Sequence, residues 1–151
     1  MSSYAKLRII WDARQIREKV KSAEIVHVCD HSNAVYVDQL KCIPHVVTCH
    51  DLLAVRSGLG EQTYCPLSPM GKLLQRWILR GLRRALTIAC DSQATRQDAQ
   101  RLLGEQWQNT IEKIWLGLNY PFRVLSREES LSRLAGLTFL NATQPYVLHI
   151  G

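Results

Sequence analysis

Short runs rich in Val and Ile, each ending in polar residues, recur along this chain, and helical patterns lie between them. They constrain its fold more than any other feature. The runs are Glu24–Cys29 (EIVHVC), His45–Cys49 (HVVTC), Leu86–Cys90 (LTIAC), Ile111–Trp115 (IEKIW) and Tyr146–Ile150 (YVLHI). Each has the length and β-branched content of a strand, and none alternates cleanly between polar and apolar residues. Continuous apolar strands belong to sheets covered on both faces, as in parallel α/β folds. With 151 residues, 46% apolar and 21% charged, the chain has material for one core and is unlike disordered, collagen-like or low-complexity proteins.

The intervening segments read as helices. Trp11–Val20 places Ala13, Ile16 and Val20 on one face. Ser32 or Asn33 can cap a short helix running to Leu40. Met70–Ala85 carries Leu73, Leu74, Trp77, Ile78, Leu82 and Ala85 at helical spacing, which predicts a core stripe. Ser92 is a good N-cap for Gln93–Leu103 and Gly104 a good stop, while Ser126 caps a helix through Leu134 that ends by Gly136. His50 to Ser68 has no clear periodicity and is closed by Pro66 and Pro69. The expected fold class is α/β, a Rossmann-like parallel sheet with helices on both faces. Because the chain opens on a helical segment and stops just after a strand-like run, it is expected to be a fragment of something longer.

In such sheets ligands bind beyond the carboxyl ends of the strands. There the chain places Asp30-His31-Ser32-Asn33, His50-Asp51-Leu52-Leu53, Asp91-Ser92 and Leu116-Gly117-Leu118-Asn119. Two readings stand for VVTCHDLL. In one, His50 points into the ligand crevice and donates a hydrogen bond to a sugar hydroxyl or phosphate, with Asp51 orienting it or opening the next turn. In the other, Asp51 merely caps a turn and His50 is surface-exposed.

His27-Val28-Cys29-Asp30-His31 resembles a metal cluster, and period 2 places His27, Cys29 and His31 on one face. Tetrahedral zinc sites draw ligand pairs from turns or helices. The reading preferred is therefore a buried His27 and Cys29, with Asp30, His31 and Asn33 in the crevice, and no metal. The five cysteines, Cys29, Cys42, Cys49, Cys65 and Cys90, have no C-x-x-C pair and read as buried reduced thiols in a cytosolic protein. Trp11, Trp77, Trp107 and Trp115 read as core or half-core.

The formal net charge is +6, with 19 Lys plus Arg against 13 Asp plus Glu. Most of the excess lies within residues 70–103, where Lys72, Arg76, Arg80 and Arg83 form a stripe at helical spacing. Such a face can lie on anionic lipid headgroups, bind phosphate, or simply be solvated. No aromatic platform or recognised motif supports a nucleic-acid partner. P-loop, dinucleotide, nucleophile-elbow and H-E-x-x-H motifs are absent. No run approaches the roughly 18 apolar residues of a membrane span, and the start MSSYAKLRIIWDARQ has no secretory leader pattern.

In order, the segments AEIVHVCDHSNA, PHVVTCHDLLAVR, RGLRRALTIACDSQATRQDAQRLLG, IEKIWLGLNYPFRVL and PYVLHIG resemble a family 4 glycosyltransferase. The third contains an S-x-x-T-x-x-D motif, here Ser92, Thr95 and Asp98. The resemblance implies a retaining transferase of the GT-B fold, with a nucleotide sugar on the C-terminal domain and an acceptor on the N-terminal one. It implies residues 1–125 as a partial acceptor-side domain, 126–144 as an interdomain helix and linker, and 145–151 as the first strand of the donor domain. His50 is implied to touch the donor sugar and place it for transfer with retention. Asp30, His31 and Arg56 are implied to line the acceptor side, with Asp51, Gly117 and Asn119 as further substrate contacts.

Two features depart from the family. There is no Gly-rich loop after a first strand, and no Glu is followed by a second Glu eight positions on. Asn119 also stands where the family commonly has Asp. The implied function is hexose transfer from a nucleotide sugar to a glycan or lipid-linked acceptor, with this stretch alone inactive. No cofactor is expected, and the expected location is cytoplasmic, with peripheral contact at the inner membrane face. The alternative is a small stand-alone α/β binding or metal-binding protein using HVCDH.

Overall fold

The computed structural model describes residues 12–117, 121 and 123–136. Residues 12–19 are helical (α1). There follow β1 (Val26–Val28), a 3-10 helix (His31–Gln39), β2 (His45–Cys49), α2 (Leu53–Gly58), α3 (Pro69–Leu82), β3 (Thr87–Cys90) and α4 (Gln93–Leu103). A second 3-10 helix (Glu105–Thr110) leads into β4 (Ile111–Lys113), and α5 is Arg127–Leu134. Trp11 and the strand expected at Tyr146–Ile150 lie outside the described residues.

The chain divides into two compact units, Met1–Leu116 and Gly117–Gly151. Among the described residues, the first holds a four-stranded, wholly parallel sheet in the order β1-β2-β3-β4. This is the α/β class and Rossmann-like sheet that the apolar runs predict. Strands added in sequence, with crossovers of one hand, bring their connecting helices to the same face, so among the described residues the helices lie on one face rather than on the two expected. Accordingly Val47, Cys49, Ile88, Cys90 and Ile111 form one buried core with Ala34, Val37, Val55, Ile78, Leu82 and Leu103 from the connections. The opposite face, carrying His27, Val46, Thr48 and Glu112, is partly exposed among the described residues.

Several elements differ from expectation for identifiable reasons. Asp30, rather than Ser32 or Asn33, caps the segment after β1, accepting from the Ser32 N–H at 2.7 Å, and that segment is 3-10 rather than α. The stretch after His50 contains the short helix α2, which at six residues is under two turns and whose N-cap residue, Leu52, makes no side-chain cap bond. Its periodicity has no room to show.

Helix α3 starts one residue earlier than expected, at Pro69, behind Ser68, whose Oγ accepts from the Gly71 N–H. It stops at Leu82, and Ala85 lies beyond it in the core. A Cβ on Gly81 would lie 2.0 Å from the Ala34 carbonyl oxygen. That close approach turns Ile78, Leu79 and Leu82 inward, and it leaves Leu73 and Trp77 on the outer face at 56% and 36% exposure. Of the other tryptophans, Trp107 packs on the core, whereas Trp115 is exposed with the Lys113 Nζ 4.2 Å from its ring centre.

Helix α4 is bounded as predicted, by Ser92, whose Oγ accepts from the Thr95 N–H, and by Gly104 at φ 100°. In the second unit, Ser126 accepts from the Glu129 N–H to open α5. Arg123 and Arg133 both pair with the Glu129 carboxylate.

Candidate functional site

The register of the sheet gathers the site. Cys49 pairs with Cys90 on the adjacent parallel strand, so the next residues, His50 and Asp91, leave the sheet side by side. Val28 pairs with Val47, which puts Cys29 and Asp30 beside the same edge.

The His50 ring bridges these strand ends. Its Nδ1 lies 2.9 Å from an Asp91 carboxylate oxygen and its Nε2 3.1 Å from the Cys29 carbonyl. The side chain keeps 42% exposure, so the ring faces solvent as well as its partners. The Asp91 hydrogen bond is the main cause that raises its pKa above the ordinary imidazole value, with help from the Cys29 carbonyl and the charges of Asp91 and Asp30. The His50 carbonyl accepts from the buried Thr95 hydroxyl at 2.8 Å, which ties α4 to the end of β2. In the S-x-x-T-x-x-D motif, then, Ser92 caps, Thr95 anchors the His50 backbone, and Asp98 pairs with Arg56 and Arg101.

Asp91 was expected at a strand end beside Ser92 but was given no role there; it is the partner of the His50 ring. Its signal was present in TCHD and ACDS, two runs that each end in Cys followed by a polar residue. Aligning the two cysteines places 50 beside 91. Asp51 does not orient the ring; its carboxylate accepts from the Leu53 N–H at 3.0 Å and opens α2.

The other expected site residues divide. Asp30 sits at the crevice edge, and the Ser32 hydroxyl and backbone N–H hold its carboxyl below the usual range. His31 is largely buried at the start of the 3-10 helix. Its Nδ1 has no hydrogen-bond partner, and the nearest Asp30 oxygen is 3.9 Å away. Arg56 meets Glu61 at 2.8 Å and Asp98 at 3.0 Å, with Arg101 closing the network. It is a clamp between α2 and α4 rather than a free cation lining a crevice. Gly117 is exposed and opens the second compact unit, while Asn119 lies outside the described residues.

The HVCDH segment does not gather as a metal cluster. β1 ends at Val28, so His31 turns away into the 3-10 helix. His27 and Cys29 share a face, with Sγ 3.8 Å from Nδ1, but both are exposed rather than buried. Among the described residues no group of three or more His, Cys, Asp or Glu is arranged to hold a metal ion. Of the cysteines, Cys49 and Cys90 are buried, Cys65 is intermediate, and Cys29 and Cys42 are exposed. The Cys90 thiol beside it, together with burial, pushes the Cys49 thiol far up and leaves it inert.

The basic face of α3 is narrower than the spacing predicts. The Arg83 guanidinium donates to the Leu102 carbonyl at 3.0 Å, and Arg84 pairs with Asp38. Lys72, Arg76 and Arg80 remain exposed, and Leu73, Arg76, Trp77 and Arg80 line a shallow groove. No helix among the described residues is long and apolar enough to cross a membrane.

Chemically, the strand edge offers an exposed imidazole fixed by two acceptors, with one carboxylate beside it. It is suited to holding a hydroxyl or an anionic oxygen, in the place where parallel α/β sheets receive ligands. Residues 2–115 match the sequence profile of Glycosyltransferase Family 4, and the chain belongs to that family. No curated protein matches the chain significantly.

Proposed function

We propose that this chain is the acceptor-side domain of a retaining hexosyltransferase, which moves a hexose from a nucleotide sugar to a glycan or lipid-linked acceptor. The observation that carries the reading is the His50 ring, held at the carboxyl end of β2 between the ends of β1 and β3. From there it meets the donor sugar and places it for transfer with retention. Asp30, His31 and Asp51 form the acceptor wall at the same end of the sheet. The chemistry needs no cofactor or metal from this domain.

The residues that hold the nucleotide lie elsewhere, since neither the Gly-rich loop nor the Glu pair is in this sequence. These 151 residues therefore neither bind a nucleotide sugar tightly nor turn one over. Incubation with purified UDP-, GDP- and ADP-hexoses, with release of nucleotide diphosphate followed over hours, is expected to show none. Transfer or tight donor binding by the chain would overturn the acceptor-side assignment.

The domain works at the cytoplasmic face of a membrane, where the α3 face rests on anionic lipid. Lys72, Arg76 and Arg80 have no acidic partner among the described residues, and Leu73 and Trp77 stand exposed between them. Apolar side chains among free cations are what an interfacial helix presents. Reversing charge in the Arg76→Glu/Arg80→Glu double variant is expected to weaken sedimentation with phosphatidylglycerol vesicles several-fold. Unchanged binding removes the membrane contact from this reading.

A further inference from the structure

His50 differs from an ordinary surface histidine in the kind of partners it has. A neutral imidazole carries one N–H and one lone pair, so it can donate at one nitrogen only. Both His50 nitrogens face acceptors, a carboxylate oxygen at Nδ1 and a backbone carbonyl at Nε2, at 2.9 and 3.1 Å. Only the doubly protonated ring satisfies both. The other histidine of β2 makes the contrast plain: His45 Nδ1 donates to the Ile43 carbonyl at 2.8 Å, and its Nε2 accepts from the Leu86 N–H at 3.2 Å. One donation and one acceptance are what the neutral ring provides.

We propose that Asp91 is a positioning residue for sugar transfer, holding His50 as an imidazolium and aiming its Nε2–H at the substrate oxygen. Three observations support this. The two residues emerge from adjacent strands at matched register, so their separation is set by the sheet rather than by a flexible loop. Thr95 fixes the His50 backbone from the other side. The Nε2 partner is a carbonyl one residue beyond β1, outside the strand ladder, where a substrate hydroxyl or phosphate oxygen can replace it. With Nδ1–H held by Asp91, the ring cannot turn to lose that aim. A charged ring can donate but cannot accept a proton, so His50 serves as a donor to substrate and not as a general base. The role of Asp91 in transfer rests on the reading of His50 as the sugar-facing residue.

The titratable groups acting on the ring are Asp91 from the end of β3 and Asp30 from the end of β1. The test is the ring itself, read by long-range 1H–15N correlation on the whole chain labelled at histidine. In the wild type at pH 7, both His50 nitrogens are expected to carry protons, while His45 shows one bare nitrogen. Asp91→Asn keeps the side-chain size and removes the charge; it is expected to lower the His50 midpoint, and Asp91→Glu to restore it toward the wild type. Asp30→Asn should move it less, because Asp30 acts only through space. A bare His50 nitrogen in the wild type at pH 7, or a midpoint unmoved by Asp91→Asn, overturns the proposal. The wild-type spectrum decides even where a variant fails to fold. No sugar enters this measurement, so its failure is distinguishable from failure of the proposed function.

Discussion

His45 and His50 stand at opposite ends of β2 and have opposite surroundings, one sealed in the core and one held at the crevice by a carboxylate. The pH dependence of stability follows from such differences. His50 has a raised pKa in the folded state, so its contribution is complete below the ordinary imidazole value and is lost as pH rises through the raised one. Asp30 and Glu61 are lowered, by Ser32 and by Arg101 with Arg56 respectively. Their contributions are complete above the ordinary carboxylate range and are lost as pH falls through the depressed values. Urea midpoints measured across pH should therefore fall on both sides of a plateau. Asp91→Asn should flatten the alkaline limb and leave the acid limb in place. An alkaline limb indifferent to that substitution would contradict the ion pair.

His50 was legible as a candidate because a polar residue after an apolar run marks the mouth of a parallel sheet. Asp91 was legible as a strand-end residue on the same ground, but its pairing with His50 was not, because it comes 41 residues later and meets the ring only through strand register. Local spacing does not encode that register. Arg56 shows the converse limit. An Arg near a crevice motif reads as a ligand contact until two carboxylates from other segments, Glu61 and Asp98, are seen on its guanidinium.

Among the elements, α3 shows how packing selects between two faces that spacing leaves equivalent. Leu73 and Trp77 lie one residue ahead of Leu74 and Ile78, about 100° around the helix, and either pair completes an apolar stripe. The Gly81 contact with Ala34 decides for the second pair. Gly81→Ala is accordingly expected to destabilise, since overpacking against a backbone carbonyl costs about 1–3 kcal/mol and outweighs the gain in helix propensity of about 1 kcal/mol. In the same helix, an added Cβ at Gly71 meets side-chain atoms no closer than 3.4 Å. Gly71→Ala should therefore be neutral or slightly stabilising. Chemical denaturation of the two variants would show opposite signs, and equal effects would refute the close-approach argument.

The serine-capped starts of α4 and α5 were legible because a cap is a local signal: Ser92 and Ser126 each bond an N–H three residues on. The helix after β1 was legible as a short helix to Leu40, though not its Asp30 cap or its 3-10 winding, and α2 was not legible because of its length.

For the whole molecule, the apolar runs foretold a parallel α/β sheet, while the strand order and the burial of helices on one face are properties of the assembled fold. The positive charge also resolved into parts with different work. Arg56, Arg83, Arg84 and Arg101 bind elements to one another, and Lys72, Arg76 and Arg80 are left for a partner. Two separate surfaces result, the strand end proposed above for sugar and the helix face proposed for lipid.

That the strand-end site receives the saccharide is tested by titrating the uniformly 15N-labelled chain with glycan and lipid-linked oligosaccharide acceptors. An acceptor seated there is expected to move the Asp30, His31 and Asp51 amides and to perturb the neighbouring His50 ring, with the buried His45 ring unaffected. Saturable binding that shifts His45 or the α3 face while His50 stays unmoved would contradict it.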